Sequence, residues 1–128
     1  MAATYTIKNL RTVEDSAPKF GFADIQEARF AFDPLEASDT GLSLYTLKPD
    51  CRQPFGHRHE QAEEVYVVLR GSGRMKLDEE VIDVSSLDAV RVSPQVVRGF
   101  EAGPEGLEVL AFGPRREGDG ELLPGWWQ

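Results

Sequence analysis

Apolar residues in this chain fall into short runs rich in Val, Leu, Phe and Tyr, and Gly, Pro, Asp or Ser interrupts each run. Runs of this length and composition predict strands. The expected strands are Ala28–Phe32, Leu42–Leu47, Phe55–His59, Glu64–Arg70, Gly73–Leu77, Val81–Val84, Ala89–Val92, Val97–Glu101 and Leu107–Phe112. Turn chemistry separates them at Pro49-Asp50, Gly71-Ser72-Gly73, Asp78-Glu79-Glu80, Ser93-Pro94 and Gly103-Pro104-Glu105-Gly106. Gly71 and Gly73 are read as a tight turn between two central strands, and Asp78-Glu79-Glu80 as a solvated hairpin tip. No long segment carries a helical period; only Val13–Glu27 has room for a helical turn or two, shortened by Pro18 and Gly21. Many short strands with regular turn signals predict an all-β sandwich or barrel.

Alternation within a strand sorts the faces. Tyr66 and Val68 are in register with Glu64 and are expected to face the interior beside it. The strand Val65–Leu69 is apolar on both faces, so its outer face needs a cover, from the N-terminal segment or a second subunit. The tail begins at Gly118 as a flexible linker and ends in Trp126-Trp127, expected to pack on the barrel's outer wall.

Composition narrows the class. The 128 residues, 41% apolar and 28% charged, support one soluble domain with one core. No apolar run is long enough to span a bilayer, and the N-terminus lacks the basic-then-apolar build of a secretory signal, so a cytoplasmic protein is expected. Fourteen basic against twenty-two acidic side chains leave a net charge of −8, which argues against nucleic acid and anionic membrane as partners. Cys51 is the single cysteine, so no intrachain disulfide forms, and it is read as a small residue near a strand start.

Candidate chemistry concentrates between Gly56 and Gly71. His57 and His59, the two histidines of the chain, are i and i+2 in an expected strand and so project into one space. Two imidazoles there can share a metal or a polar ligand, and Glu64 joins them if the chain turns back between Glu60 and Glu63. Tyr66 either donates to a ligand or fills the core, Phe100 is an apolar wall, and Arg58 and Glu63 alternate outwards.

The run His-x-His-x4-Glu-x6-Gly, met by His57, His59, Glu64 and Gly71, resembles the first signature of the cupins. Asp88 and Pro94 match the second, whose glycines fall here on Leu87 and Val96 and whose histidine falls on Arg98. The resemblance covers roughly Leu42 to Phe112. It implies a double-stranded β-helix, the cupin jelly-roll barrel, here residues 35–114 with a short N-terminal extension (1–34) and a Trp-containing C-terminal tail (115–128). It also implies a homodimer and a site inside the barrel, where the cupin pattern holds Mn, Fe, Ni, Zn or Cu on three histidines and a glutamate.

Arg98 changes that implication. A guanidinium has no lone pair and cannot ligate. At about 4 Å from a divalent ion, with an effective dielectric near 20, it would repel the ion by roughly 8 kcal/mol. Beside Glu64 it would instead form a forked pair with the carboxylate. The first functional reading is therefore a barrel that binds a small anionic or hydroxylated ligand through Arg98, Tyr66, His57, His59 and Glu64, with a reduced or absent metal centre. The alternative is a metal-dependent oxygenase or isomerase in which His57, His59 and Glu64 hold Zn, Ni, Fe or Mn. A third is a barrel kept for assembly through its tail and outer sheet.

Overall fold

A computed structural model of the chain describes residues 4–127. Its strands are β1 (Gln26–Phe30), β2 (Thr40–Leu47), β3 (Phe55–His59), β4 (Glu64–Leu77), β5 (Glu80–Ser85), β6 (Ala89–Val92), β7 (Arg98–Pro114) and β8 (Gly120–Pro124). Among the described residues helix is confined to 3-10 turns at Leu10–Thr12 and Ala17–Phe20, so the expected helical stretch between Val13 and Glu27 shrinks to one tight turn. No helix among the described residues is long and apolar enough to cross a membrane.

Two long strands organise the barrel. The C-terminal part of β7 pairs antiparallel with β2, from Leu47↔Leu107 to Thr40↔Pro114, and its first residue reaches β3 through His57↔Arg98. β4 follows β7 along both parts, Val65↔Phe112 to Gly71↔Leu107 and then Gly73↔Ala102 to Leu77↔Arg98. One sheet thus runs β1, β2, the end of β7, the start of β4, β6; the other runs β8, β3, the start of β7, the end of β4, β5. All pairs are antiparallel, and the strands curl into the double-stranded β-helix. The core between the sheets includes Leu47, Tyr66, Val68, Met75, Val92, Phe100, Leu107 and Val109.

The expected breaks at Gly71–Gly73 and Gly103–Gly106 are corners, not hairpin turns. β4 and β7 run through them and cross from one sheet to the other, with register slips between Val68 and Arg70 and between Gly71 and Gly73. Such slips bend a strand and raise its twist. Glycine serves a corner for the same reason it serves a turn: Gly71 sits at φ +82°, and a Cβ there would run into the carbonyl oxygen of Gly106.

Both extensions belong to the barrel. β1 lies inside the segment read as an N-terminal extension, and β8 lies inside the tail read as linker; each pairs at a sheet edge. Part of the cover for the outer face comes from the N-terminal segment. Arg11 meets the buried Glu108 at 2.6 Å, where Thr46 and Arg70 also donate. Burial pushes the Glu108 carboxyl up, but those donors outweigh it and hold the group below the usual carboxylate range. Leu69 and Phe112 stay partly exposed on a single chain. At the tail, the Trp126 ring lies against Gly56, with the Lys76 ammonium 4.4 Å from its centre, and Arg52 sits 4.7 Å over Trp127.

Gly71→Ala is expected to cost at least about 2 kcal/mol, combining a left-handed backbone with a main-chain clash. The measurement is the urea midpoint at unchanged slope. A loss below about 0.5 kcal/mol would contradict the corner assignment.

Candidate metal centre

Strand β3 places His57 and His59 on one face, their rings perpendicular with centroids 5.4 Å apart. Glu64 opens β4, and the chain between them must double back to bring it to the histidines. The tie comes from the tail. Asp119, just before β8, accepts from Gln61 N at 2.9 Å and Ala62 N at 3.0 Å through its carboxylate, while its carbonyl accepts from Glu60 N at 3.0 Å.

Three groups converge on one carboxylate oxygen, Glu64 Oε1. Tyr66 Oη donates to it at 2.6 Å, His57 Nε2 lies 3.3 Å away and His59 Nε2 3.0 Å away. Tyr66 Oη is also 3.2 Å from His57 Nε2. One donor atom from each of His57, His59 and Glu64 lies within 4.8 Å of the others. Donors about 2.1 Å from a common divalent ion would stand about 3.0 Å apart at right angles and about 3.4 Å apart in a tetrahedron. The separations from Glu64 Oε1 to the two imidazoles fall in that range. His59 supplies the sharper test. Its Nε2 is close to Glu64 but not directed along a hydrogen-bond axis, and both ring nitrogens are buried without a hydrogen-bond partner. Nε2 stands 3.0 Å from Glu64 and Nδ1 3.2 Å from Asp119, each off the axis a hydrogen bond needs, so Nε2 is placed to share an ion with Glu64. A divalent transition metal fits these three donors.

Burial alone would raise the Glu64 carboxyl. Contacts with the His57 and His59 imidazoles, the His57 charge and the Tyr66 hydrogen bond outweigh it and hold the group far below the usual range, as a carboxylate. Tyr66 moves the other way: burial first and the Glu64 charge second raise its hydroxyl well above the ordinary value, partly offset by Arg98. It remains a proton-bearing donor. Tyr45 is pushed up to about 12 by burial and by Glu64, against a smaller lowering from Ser43.

Arg98 departs from expectation. Its side chain is fully buried, yet its head is spent on main-chain carbonyls and not on Glu64. Nη1 donates to Pro94 O at 3.2 Å and His57 O at 3.4 Å, Nη2 donates to Ser93 O at 3.2 Å, and Nε is buried without a partner. The reason is local: Glu64 Oε1 is already taken by Tyr66, while the Ser93-Pro94 turn presents carbonyl lone pairs beside the first residue of β7. Arg98 therefore ties that turn to β3. The structure joins His57, His59, Glu64 and Tyr66 in one cluster and leaves the Arg98 head outside it.

The histidines and Glu64 line a cavity of about 780 Å³. Its other walls are mostly aromatic and aliphatic: Phe22, Phe30, Phe55, Tyr45 and Leu122, with Arg115 and Arg116 also on the lining. Sequence reasoning missed Tyr45, for which the only signal was its place in the expected strand Leu42–Leu47. It also missed Asp119, whose Asp-Gly setting read as linker. A second hollow of about 600 Å³, lined by Asp50, Ser72, Arg74, Asp83 and Glu101 among others, contains none of these site residues.

A carboxyl whose folded value is depressed stabilises the fold above its unfolded value of about 4.3 and loses that contribution as pH falls. In chelated protein, the unfolding free energy of wild type minus that of Glu64→Gln is expected to be largest near neutrality and to shrink below about pH 4. Urea denaturation of both proteins across that range checks it; a difference that stays flat contradicts the charged, donor-held carboxylate.

Residues 43–113 match the cupin domain family. A curated relative, the uncharacterized protein MJ1618 of Methanocaldococcus jannaschii, is 33% identical over 70 residues. That stretch is 52% of this chain and 56% of the relative, so the chain spans little more than half the length of the relative it matches. Among solved structures, a cupin protein from Bacteroides fragilis superposes with a TM-score of 0.71 at 21% identity, covering 91% of this chain and 89% of that one. The polyketide cyclase RemF from Streptomyces resistomycificus superposes with a TM-score of 0.74 at 20% identity, covering 100% of this chain and 88% of that one. At these identities the structural likeness speaks for the fold, while the match over residues 43–113 carries the family: this chain belongs to the cupins.

Proposed function

We propose that the protein is a metal-dependent cupin enzyme that acts on a small, largely apolar molecule bearing an oxygen donor. The observation that carries this reading is the convergence of His57, His59 and Glu64, with His59 Nε2 buried 3.0 Å from Glu64 and making no hydrogen bond. His57, His59 and Glu64 would hold the ion, which supplies Lewis acidity to a ligand oxygen. Aromatic walls favour burial of a planar or branched apolar body. Tyr66 keeps Glu64 Oε1 in place from behind. Tyr45 lines the same cavity and retains its proton at neutral pH, so it is the group available to donate to a bound oxygen. Polarisation of a ligand oxygen by the ion, with the Tyr45 hydroxyl available as its hydrogen-bond donor, is the chemistry these residues support. RemF, named as a cyclase, shows that a similarly shaped barrel houses an enzyme, though not which reaction runs here.

A metal-free ligand-binding barrel is the second reading, and one observation favours it. The 2.6 Å bond from Tyr66 satisfies Glu64 without an ion. The notion that Arg98 meets an anionic ligand loses support, because its head is committed to carbonyl oxygens. Metal analysis of untagged protein, as purified and after reconstitution, separates the two readings. About one divalent ion per chain is expected in wild type, and His59→Ala should lose it while remaining folded. Wild type that stays empty after reconstitution, or a His59→Ala protein that retains a full equivalent, sinks the enzyme reading.

A further inference from the structure

The C-terminal segment reaches the donor cluster at one residue. Asp119 Oδ2 lies 3.2 Å from His59 Nδ1, the ring nitrogen that faces away from Glu64. The same carboxylate accepts from Gln61 N and Ala62 N, the turn that returns the chain to Glu64. Its side chain is 7% exposed. Asp119 thus touches both sides of the cluster: the ring of one donor, and the loop that delivers another. It is anchored in turn by β8, whose pairing with β3 runs from Phe55↔Pro124 to His59↔Gly120.

We propose that Asp119 is a positioning residue that holds the proton of His59 on Nδ1, leaving the Nε2 lone pair free to face Glu64 and an ion. A neutral imidazole carries one proton, and the group at one nitrogen decides which nitrogen keeps it. At Nδ1 stands a carboxylate, an acceptor only; at Nε2 stands Glu64 Oε1, which already accepts from Tyr66. The Asp119 oxygen lies off the ring's hydrogen-bond axis, so its hold on His59 is by charge and proximity. The tail of this cupin is then part of its active centre. Loss of such a supporting carboxylate typically weakens metal binding by roughly 10–100-fold.

This inference rests on the proposed metal reading for its purpose, but its first test needs no metal. Nitrogen-15 NMR of chelated wild type, carried up in pH until His59 holds a single proton, reports which of its nitrogens keeps it. The Nδ1–H form is expected; a dominant Nε2–H form overturns the proposal whether or not any variant folds. Asp119→Asn should shift the population towards Nε2–H and weaken Zn(II) affinity by roughly 10–100-fold in chelator competition. Glu121→Ala removes the exposed Arg58–Glu121 pair between β3 and β8 without touching His59, and should change neither reading. An Asp119→Asn protein with unchanged tautomer and affinity overturns the proposal, as does an equal loss of affinity in Glu121→Ala, which would mark a general effect of strand docking. Wild type that binds no Zn(II) but shows the Nδ1–H form sinks the metal reading alone.

Discussion

Burying a carboxylate costs several kcal/mol unless donors gather around it, and the interior of this barrel is arranged around that constraint at Glu64. Tyr66 from the same strand and two imidazoles from β3 close on a single oxygen, and Asp119 holds the turn that returns the chain to it. The acid stays ionised because of them. Two of those groups, the imidazoles, are themselves Lewis bases. The arrangement that keeps the acid charged is also one that can grip a cation, and His59 is the member that makes no hydrogen bond.

The fold delivers these groups through two strands that each serve both sheets. β4 carries Glu64 and Tyr66 at one end and turns the corner at Gly71, while β7 begins with Arg98 against His57 and finishes beside β2. Arg98 occupies the place where the cupin pattern puts a histidine, and its role here is mechanical: it pins the Ser93-Pro94 turn to β3 through carbonyl oxygens. A three-donor centre results, with the cavity in front of it. The guanidinium's charge remains in the wall, near enough to lower Tyr66 in part, but not paired with the acid.

Much of this was legible in the residues. The i, i+2 histidines and Glu64 share a space, as period-two geometry demands, and β3 and β6 have the bounds that the apolar runs gave. What was not legible has a common cause: glycine, aspartate and arginine each serve two roles that one sequence cannot separate. Gly71 reads as a hairpin but forms a sheet-crossing corner, because both need a left-handed residue with no Cβ. Asp119-Gly120 reads as linker, yet β8 follows it and Asp119 reaches His59 from some sixty residues downstream, a contact no local pattern encodes. For Arg98 the inward direction follows from strand register, but whether a five-donor head meets an acid or a set of carbonyls depends on which acceptors the fold leaves open.

Anomalous diffraction from crystals grown with Zn(II) or Co(II) tests the central claim most directly. The account predicts one peak about 2.0–2.2 Å from a nitrogen of His57, a nitrogen of His59 and an oxygen of Glu64, with the Arg98 head still on its carbonyls. A cluster with no peak, and Arg98 swung onto Glu64, would contradict it.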